Sequence, residues 1–233
     1  MNKIPIVFAF DRNLVFPASI CISSLMMHSN ENTFYDIYIL HSQNEHIDFS
    51  DIDKIPLFYS NCKVTYKSVG PIFDDAFEIR GITTPAYYRL LIPEIIPEYD
   101  KIFYSDVDVI FRMDLSELYQ LDIEDKYIAA TRDLGLNLND DGINYIRQLG
   151  SVSPGEYIQS GFIMLNSKLL REDGVVERFK NLSKRKLKFQ DQDILNIACV
   201  GKIAFISLKY NMTDYSFLYS IKGREKLHQY YSD

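Results

Sequence analysis

The sequence predicts an α/β sandwich with a mainly parallel central sheet. Short apolar runs of strand length alternate with longer stretches in which apolar residues recur at helical spacing. Such alternation is typical of parallel sheets covered by helices. The chain has 233 residues, enough for one well-buried core, and no Gly/Ser-rich or Pro-rich linker divides it. We therefore expect one domain over residues 1–233.

The predicted elements follow from local composition. Strands are expected where short apolar and β-branched runs occur, at 4–10, 35–40, 62–69, 101–106, 127–133, 160–167 and 203–208. Helices are expected where the apolar spacing lengthens, at 16–29, 49–59, 83–96, 168–183 and 189–201. Pro17 and Pro85 fall where a first helical turn accepts proline, so the third of these helices should open at Thr83 or Thr84.

Bulk composition excludes several classes of protein. The formal net charge of −7 argues against a nucleic-acid-binding protein, which normally carries a basic face. Cys21, Cys62 and Cys199 have neither zinc-site nor disulfide-framework spacing, which favours a reducing, cytoplasmic compartment. The apolar start of the chain is too short for a secretory signal core, and no apolar run approaches the roughly 18 residues of a membrane span.

Acidic residues follow several of the predicted strands. Asp11, Asp106, Asp108 and Asp133 each lie at or just after a strand end. Ligands of parallel α/β sheets bind beyond the carboxyl ends of the strands, so these residues should share one rim. Asp106 and Asp108 are two apart and would point to the same side, which suits an oxygen-ligated Mg²⁺ or Mn²⁺. A solvated turn is the alternative interpretation.

A phosphohydrolase of the haloacid dehalogenase type is a rival interpretation of the same D-x-D motif. Such enzymes use the first aspartate as a nucleophile and carry a threonine two residues after the second. Here that position is Ile110, and the motif lies in the middle of the chain rather than near its start. The phosphatase alternative is therefore disfavoured.

Three other polar segments are candidates for the same site. In "FQDQDILN", Asp191 and Asp193 could cap a helix or bind a ligand together with the neighbouring glutamines. "QSG" at 159–161 precedes a buried strand, where a glycine permits close backbone approach. Arg89 lies in an apolar helix, and it either snorkels to solvent or meets a phosphate or an acid on the rim.

In order along the chain, these segments resemble family 8 glycosyltransferases, the group that includes glycogenin and bacterial surface-polysaccharide transferases. The matching stretches are "IVFAFDRN", "TTPAYYRLLIPEIIP", "KIFYSDVDVIF", "YIQSGFIMLN", "FQDQDILN" and "LKYN". The resemblance implies a GT-A fold, a D-x-D metal site, a UDP-sugar donor and retention of anomeric configuration.

The resemblance also implies roles for individual residues. Asp106 and Asp108 would hold Mn²⁺, with Mg²⁺ as the alternative. Gln192 would lie beneath the anomeric carbon of the donor sugar, and Asp191 would bind a sugar hydroxyl or act as a covalent nucleophile. The donor-binding residues that it implies are Ala9, Asp11, Asn13, Arg89, Asp106, Val107, Asp133, Gln159 and Ser160.

Within that set, Asp11 would accept from the uracil N–H, Arg89 would reach the donor phosphate and sugar, and Asp133 would bind sugar hydroxyls. Two positions depart from the family pattern. Gln159 stands where asparagine is common, and Leu14 stands where an aromatic side chain often stacks on the base.

A third departure concerns the metal. The family's third metal ligand is a histidine in a C-terminal H-x-x-G-x-x-K-P-W segment, and His228 lacks the residues that should follow it. We therefore expect that the chain lacks the family's C-terminal segment or that the metal site is completed differently. Peripheral association with the inner membrane face, if mediated by that segment, is a further expectation.

The function implied is a retaining, metal-dependent transferase that moves a hexose from UDP-glucose or UDP-galactose to a saccharide or glycolipid acceptor. Two alternatives remain open at this stage. One is a catalytically impaired UDP-sugar-binding protein, and the other is a self-glycosylating primer, for which 17 tyrosines offer acceptors. Sequence alone does not choose between same-face attack and a covalent intermediate on Asp191.

Overall fold

The computed structural model describes residues 2–73, 76 and 84–222. Seven strands in the described part of the chain form a single sheet, in the order β3-β2-β1-β4-β6-β5-β7. Their bounds are β1 Asn2–Ala9, β2 Thr33–Ser42, β3 Cys62–Val69, β4 Lys101–Ser105, β5 Ile128–Arg132, β6 Ile158–Asn166 and β7 Ile203–Phe205.

The sheet is mainly parallel, as the sequence predicted. β1 pairs in parallel with both β2 and β4, β2 pairs in parallel with β3, and β5 pairs in parallel with β7. β6 is the exception, because it runs antiparallel to both of its neighbours, β4 and β5. The amino end of β6 therefore lies at the same edge of the sheet as the carboxyl ends of β1, β4 and β5.

Both faces of the sheet are buried, which explains why the strands are nearly continuous apolar runs. In β1, successive side chains enter opposite layers, as the two-residue period of a strand requires. Ile4, Ile6 and Phe8 belong to one apolar core, whereas Val7 and Ala9 belong to the core on the other face. The same sheet thus anchors both helical layers.

The α-helices in the described residues are mostly short and lie on both faces of the sheet. Their bounds are α1 Val15–Met27, α2 Ser50–Asp53, α3 Ile55–Phe58, α4 Ile92–Ile95, α5 Ser116–Tyr119, α6 Leu134–Leu138, α7 Asp140–Leu149, α8 Ser167–Glu172, α9 Val175–Ser183, α10 Gln190–Ala198 and α11 Asp214–Lys222. Short 3₁₀ helices occupy Arg12–Leu14, Pro71–Phe73, Thr84–Leu91 and Leu208–Tyr210.

Three predicted helices differ from those observed. The helix predicted at 83–96 is a 3₁₀ helix followed by α4, because Pro93 has no N–H to donate to the preceding turn. Thr83 lies outside the described residues. The helix predicted at 168–183 is broken into α8 and α9 at Gly174, which has φ of 64°. The helix predicted at 49–59 is likewise two short helices, with Pro56 at the start of the second.

The three cysteines are buried free thiols. Within the described ranges, no helix is both long and apolar enough to span a bilayer.

Candidate functional site

A cleft of about 390 Å³ opens at the edge of the sheet where β1 and β4 end and β6 begins. This is the edge at which the ends of the predicted strands were expected to hold a ligand. The predicted site residues that line the cleft are Ala9, Asp11, Arg89, Asp106, Val107, Asp108, Gln159, Ser160, Asp191 and Gln192.

Asp133 and Asn13 are the predicted site residues that do not line this cleft. Asp133 caps α6 and lines an adjacent cavity of about 350 Å³, which shares Gln159 and Phe189 with the cleft. Its Oδ2 also accepts a hydrogen bond from Gln192 Nε2 at 3.0 Å, so it remains coupled to the cleft. Asn13 is exposed, and its backbone N–H donates to Oδ1 of Asp11 at 2.9 Å.

Arg89 is the buried cation of the site. The residue is 4 % exposed, so the snorkelling interpretation is wrong. Its Nη2 lies 2.7 Å from Oδ1 of Asp106, and its Nε lies 3.1 Å from Oδ2 of Asp191. Nη1 donates to the carbonyl oxygen of Ser160 at 2.7 Å. Arg89 thus meets acids on the rim, which was the other interpretation of this residue, and it ties the D-x-D segment to α10.

Tyr104 completes the surroundings of Asp106. Its hydroxyl donates to Oδ1 of Asp106 at 2.8 Å, and its ring lies beneath the guanidinium of Arg89, 4.2 Å from centroid to Cζ. Tyr104 was not among the predicted site residues. It precedes Asp106 by two positions, and residues two apart in an extended segment point to the same side, so the spacing could have identified it.

The start of α10 carries two aspartates with different roles. Asp191 does not cap the helix; its Oδ2 contacts Arg89 and accepts from Ser160 Oγ at 3.1 Å. Asp193 is fully buried and accepts from the Phe189 N–H at 2.8 Å, so the capping interpretation holds for it alone. It also accepts from the hydroxyls of Tyr157, at 2.6 Å, and Tyr145.

Gln192 connects three parts of the site. Its Oε1 accepts from the backbone N–H of Ser160 at 3.0 Å, and its Nε2 donates to Asp133. A backbone N–H can only donate, so the contact with Ser160 fixes which atom of the carboxamide is oxygen. Asn196, one turn later, pairs with both the N–H and the carbonyl of Ile158 and so holds α10 against β6.

Ser160 and Gly161 form the peptide segment at which these contacts converge. The Ser160 N–H donates to Gln192, and the Ser160 carbonyl accepts from Arg89. The Gly161 N–H donates to the side chain of Gln159 at 2.7 Å, and the Gly161 carbonyl accepts from the backbone N–H of Asp106 at 2.7 Å. A Cβ on Gly161 would lie 2.7 Å from Asp106 Oδ2. The close approach expected at this glycine is therefore confirmed.

Burial perturbs three carboxyl groups of the site. Burial raises the pKa of Asp191 to about 6, although the charge of Arg89 opposes this shift. Burial also raises the pKa of Asp133, and hydrogen bonds from Leu136 and Gln192 oppose it. The pKa of Asp108 is raised because its carboxyl is partly enclosed and because Asp106 is negatively charged. Perturbed acids gathered in a cleft and the cavity beside it are typical of functional sites.

Asp106 and Asp108 fit a hard divalent cation in part. Oδ1 of Asp106 is engaged by Arg89 and Tyr104, whereas Oδ2 lies over Gly161, where a side chain would intrude. Burial first, and then the charge of Asp106, raise the pKa of Asp108, and a bound cation would favour its ionised form. No cluster of three or more His, Cys, Asp or Glu side chains suited to a metal occurs within the described ranges. His228, which lacks the residues that follow the family's histidine ligand, lies outside the described ranges.

Phe189 and Asn211 are further site residues that sequence reasoning missed. Phe189 lines both the cleft and the adjacent cavity. Asn211 donates from Nδ2 to Oε1 of Gln159 at 2.6 Å. The stretch "LKYN" was noted, but no spacing in it predicts a partner 52 positions away.

An acidic cleft at the carboxyl ends of a mainly parallel sheet defines a ligand-binding α/β protein. The chain belongs to glycosyl transferase family 8, whose family model matches residues 5–230.

Individual relatives agree with that assignment. The lipopolysaccharide 1,3-galactosyltransferase of Salmonella typhimurium is 22 % identical over 239 residues, which cover 95 % of this chain. A lipopolysaccharide 1,2-glucosyltransferase of Escherichia coli is 26 % identical over 240 residues, which cover 97 % of this chain. The chain spans 63 to 66 % of the length of the curated relatives that it matches here.

Solved structures confirm the GT-A fold. An active-site mutant of LgtC superposes with a TM-score of 0.81 at 23 % identity, covering 94 % of this chain and 79 % of that one. The bifunctional glycosyltransferase WbbM in its apo form superposes with a TM-score of 0.77 at 22 % identity, covering 97 % of this chain and 45 % of that one.

Proposed function

We propose that this chain is the nucleotide-sugar-binding and catalytic domain of a retaining hexosyltransferase that uses UDP-glucose or UDP-galactose. The acceptor would be a saccharide or a glycolipid, as the names of the lipopolysaccharide galactosyl- and glucosyltransferase relatives suggest. The observation that carries the proposal is the buried Arg89, which joins Asp106 of the D-x-D segment to Asp191 of α10 within one cleft. The family assignment also favours a transferase over the phosphatase alternative.

The residues of the cleft have complementary tasks in such a reaction. Breaking a sugar–phosphate bond leaves negative charge on the departing diphosphate and positive charge on the sugar ring. A divalent cation, held by Asp106 and Asp108, would supply electrostatic stabilisation of the diphosphate. Asp133 and Asp191 supply acceptors for sugar hydroxyls. The amide oxygen of Gln192 is a weak nucleophile, and its dipole stabilises positive charge without forming a lasting bond.

Same-face attack and double displacement make different demands on this cleft. Double displacement needs a carboxylate nucleophile, and Asp191 is the candidate closest in sequence to Gln192. Its Oδ2 is engaged by Arg89 and Ser160, so attack through that oxygen would require breaking an ion pair and a hydrogen bond. These contacts favour same-face attack, with Gln192 beneath the anomeric carbon and Asp191 holding Arg89.

The test is turnover of UDP-glucose and UDP-galactose by this chain, with and without Mn²⁺, followed as UDP release. We expect slow hydrolysis that requires the cation and that Asp106→Ala and Asp108→Ala each abolish. Asp125→Ala, which removes an exposed acid remote from the cleft, is the matched control. Unchanged turnover in both D-x-D variants would remove the metal-site claim.

Calorimetric titration with UDP and Mn²⁺, the intact mass of the protein after incubation with UDP-glucose, and an assay of phosphate release separate the alternatives. Binding without turnover of either sugar nucleotide would indicate the catalytically impaired UDP-sugar-binding protein. A gain of hexose mass on the protein itself would indicate a self-glycosylating primer. Release of phosphate from phosphate esters without any need for uridine would favour the phosphatase.

A further inference from the structure

Gln159 lies where three cavities of the molecule meet. Its side chain lines the cleft of about 390 Å³, the adjacent cavity of about 350 Å³ beside Asp133, and a third cavity of about 570 Å³. The third cavity runs between the D-x-D segment and residues 209–214. The side chain of Gln159 is therefore placed to contact a ligand in any of the three cavities.

The orientation of that carboxamide is fixed by two hydrogen bonds. The Gly161 N–H lies 2.7 Å from the Gln159 side chain, and because a backbone N–H can only donate, the atom facing it is Oε1. Nδ2 of Asn211 lies 2.6 Å from the same oxygen and must likewise be a donor. Both partners thus hold the oxygen, and the other end of the carboxamide, which also lies over Gly161, is the NH₂ group.

The surroundings of the NH₂ group follow from its position above Gly161. A Cβ built on Gly161 would lie 2.9 Å from Gln159 Nε2 and 2.7 Å from Asp106 Oδ2, so these two atoms share one small region above the glycine. Within the described part of the chain, Gln159 Nε2 donates no hydrogen bond. Arg89 and the Nε2 of Gln192 are already engaged by carboxylates.

A sugar hydroxyl both donates and accepts a hydrogen bond. The acids around the junction can accept its proton, but its oxygen also needs a donor. The NH₂ group of Gln159 provides one, whereas a carboxamide turned the other way would offer only one more acceptor. The orientation of this amide therefore decides whether it offers a donor to the hydroxyl oxygen.

We propose that Asn211 is a positioning residue that locks Gln159 with its NH₂ group towards an oxygen atom of the sugar substrate. The proposal rests on the proposed function for the identity of the substrate. Asn211 follows the 3₁₀ helix Leu208–Tyr210 and precedes α11, so the segment after β7 sets the hydrogen-bonding polarity of a residue on β6.

A double-mutant cycle tests the lock. Asn211→Ala should lower kcat/KM for Mn²⁺-dependent turnover of UDP-glucose or UDP-galactose by about tenfold, the value of one hydrogen bond to substrate. In a Gln159→Ala background, Asn211→Ala should have less than about a twofold effect, because nothing is left for it to orient. Equal losses in both backgrounds, or no loss in either, would overturn the proposal.

Two further variants complement the double-mutant cycle, one that changes the donor at position 211 and one that serves as a control. Asn211→Asp keeps the shape of the side chain but turns an acceptor towards Oε1 of Gln159, so we expect a loss at least as large as for Asn211→Ala. A smaller loss would contradict the lock. Asn144→Ala removes an exposed asparagine outside the three cavities and is the matched control, with no change in turnover expected.

A spectroscopic measurement separates failure of the lock from failure of the proposed function. The side-chain NH₂ resonances of Gln159, identified by their loss in Gln159→Glu, should shift in Asn211→Ala in the protein without substrate. If they shift but no sugar nucleotide is turned over by the unsubstituted protein, the proposed function is wrong and the lock stands. If they do not shift, the lock is wrong whatever the activity.

Discussion

Nε of Arg89 lies 3.1 Å from Oδ2 of Asp191, and both side chains are almost fully buried, at 5 and 7 % exposure. A buried ion pair contributes little net stability compared with an apolar pair, but removal of one partner leaves the other charge uncompensated. Arg89 also serves Asp106 and the Ser160 carbonyl, so its loss would leave several acceptors unsatisfied at once.

We therefore expect Arg89→Met to lower the free energy of unfolding by about 3–5 kcal/mol. Lys54→Met is the matched control, because it breaks an ion pair with Asp51 that is exposed on both sides. Exposed pairs contribute at most about 1 kcal/mol. Urea unfolding of both variants measures the difference, and similar losses in the two would contradict a structural role for the Arg89–Asp191 pair.

The raised pKa of Asp191 makes a pH-dependent contribution to stability. Its pKa is raised from 3.8 to about 6 in the folded protein. Between these values the folded state binds more protons than the unfolded state, so the contribution is present below about pH 4 and is lost as the pH rises to about 6. The shift corresponds to at most about 3 kcal/mol.

Urea unfolding of the unsubstituted protein and of Asp191→Asn at several pH values tests this. The difference in unfolding free energy between the two should fall as the pH rises through this window and level off above it. Other carboxyl groups with raised pKa values, such as Asp133, are present in both proteins, so their contributions cancel in the difference between the two unfolding free energies. A difference that rises with pH would show that the Arg89 charge outweighs burial.

The hydroxyl of Tyr157 is expected to stabilise the start of α10. It donates to the fully buried Asp193 at 2.6 Å, and a hydrogen bond to a charged group contributes about 1.5–3 kcal/mol. Tyr157→Phe should lower the unfolding free energy by about that amount. Tyr127→Phe, which removes an exposed bond to Asp173, is the control and should cost less than about 1 kcal/mol.

Gly161→Ala is expected to weaken cation binding without unfolding the protein. The added Cβ would lie 2.7 Å from Asp106 Oδ2 and 2.9 Å from Gln159 Nε2. These side-chain ends must therefore shift, although hydrogen bonds hold the other oxygen of Asp106 and the oxygen of Gln159. Displacing a candidate ligand atom of Mn²⁺ should reduce affinity about tenfold or more, as changes to the groups that orient a metal ligand commonly do.

Calorimetric titration with Mn²⁺ in the presence of UDP measures this affinity. Gly70→Ala is the matched control, because its Cβ would meet its nearest neighbour at 3.6 Å, an ordinary contact. An unchanged affinity in Gly161→Ala would argue that Oδ2 of Asp106 does not contact the cation.

The position of the candidate cleft was predictable because residues that follow parallel strands share one edge of the sheet. Asp11 and Asp106 were placed on one rim by the rule for parallel sheets, and both line the cleft. The direction of β6 was not predictable in the same way. Its apolar run is buried on both faces, and such a pattern reads the same for either strand direction.

Long-range polar contacts were equally beyond sequence reasoning. Asn211 and Asn196 are uncharged polar residues in unremarkable local patterns, and only the folded chain brings them to Gln159 and Ile158. The backbone at Gln190, with φ of 43°, is another case, since a non-glycine residue in this region depends on surrounding tertiary contacts.

Because contacts from the whole cleft converge on Ser160 and Gly161, the backbone amides of these two residues should report whether a ligand occupies the cleft. Every backbone polar group of these two residues bonds to a different side chain or segment of the cleft. A ligand that moves Arg89, Gln192, Gln159 or Asp106 must alter the electronic surroundings of this short stretch of chain. Two amide signals in a nitrogen-15 spectrum would then report which flank of the cleft a small molecule enters, before any acceptor has been identified.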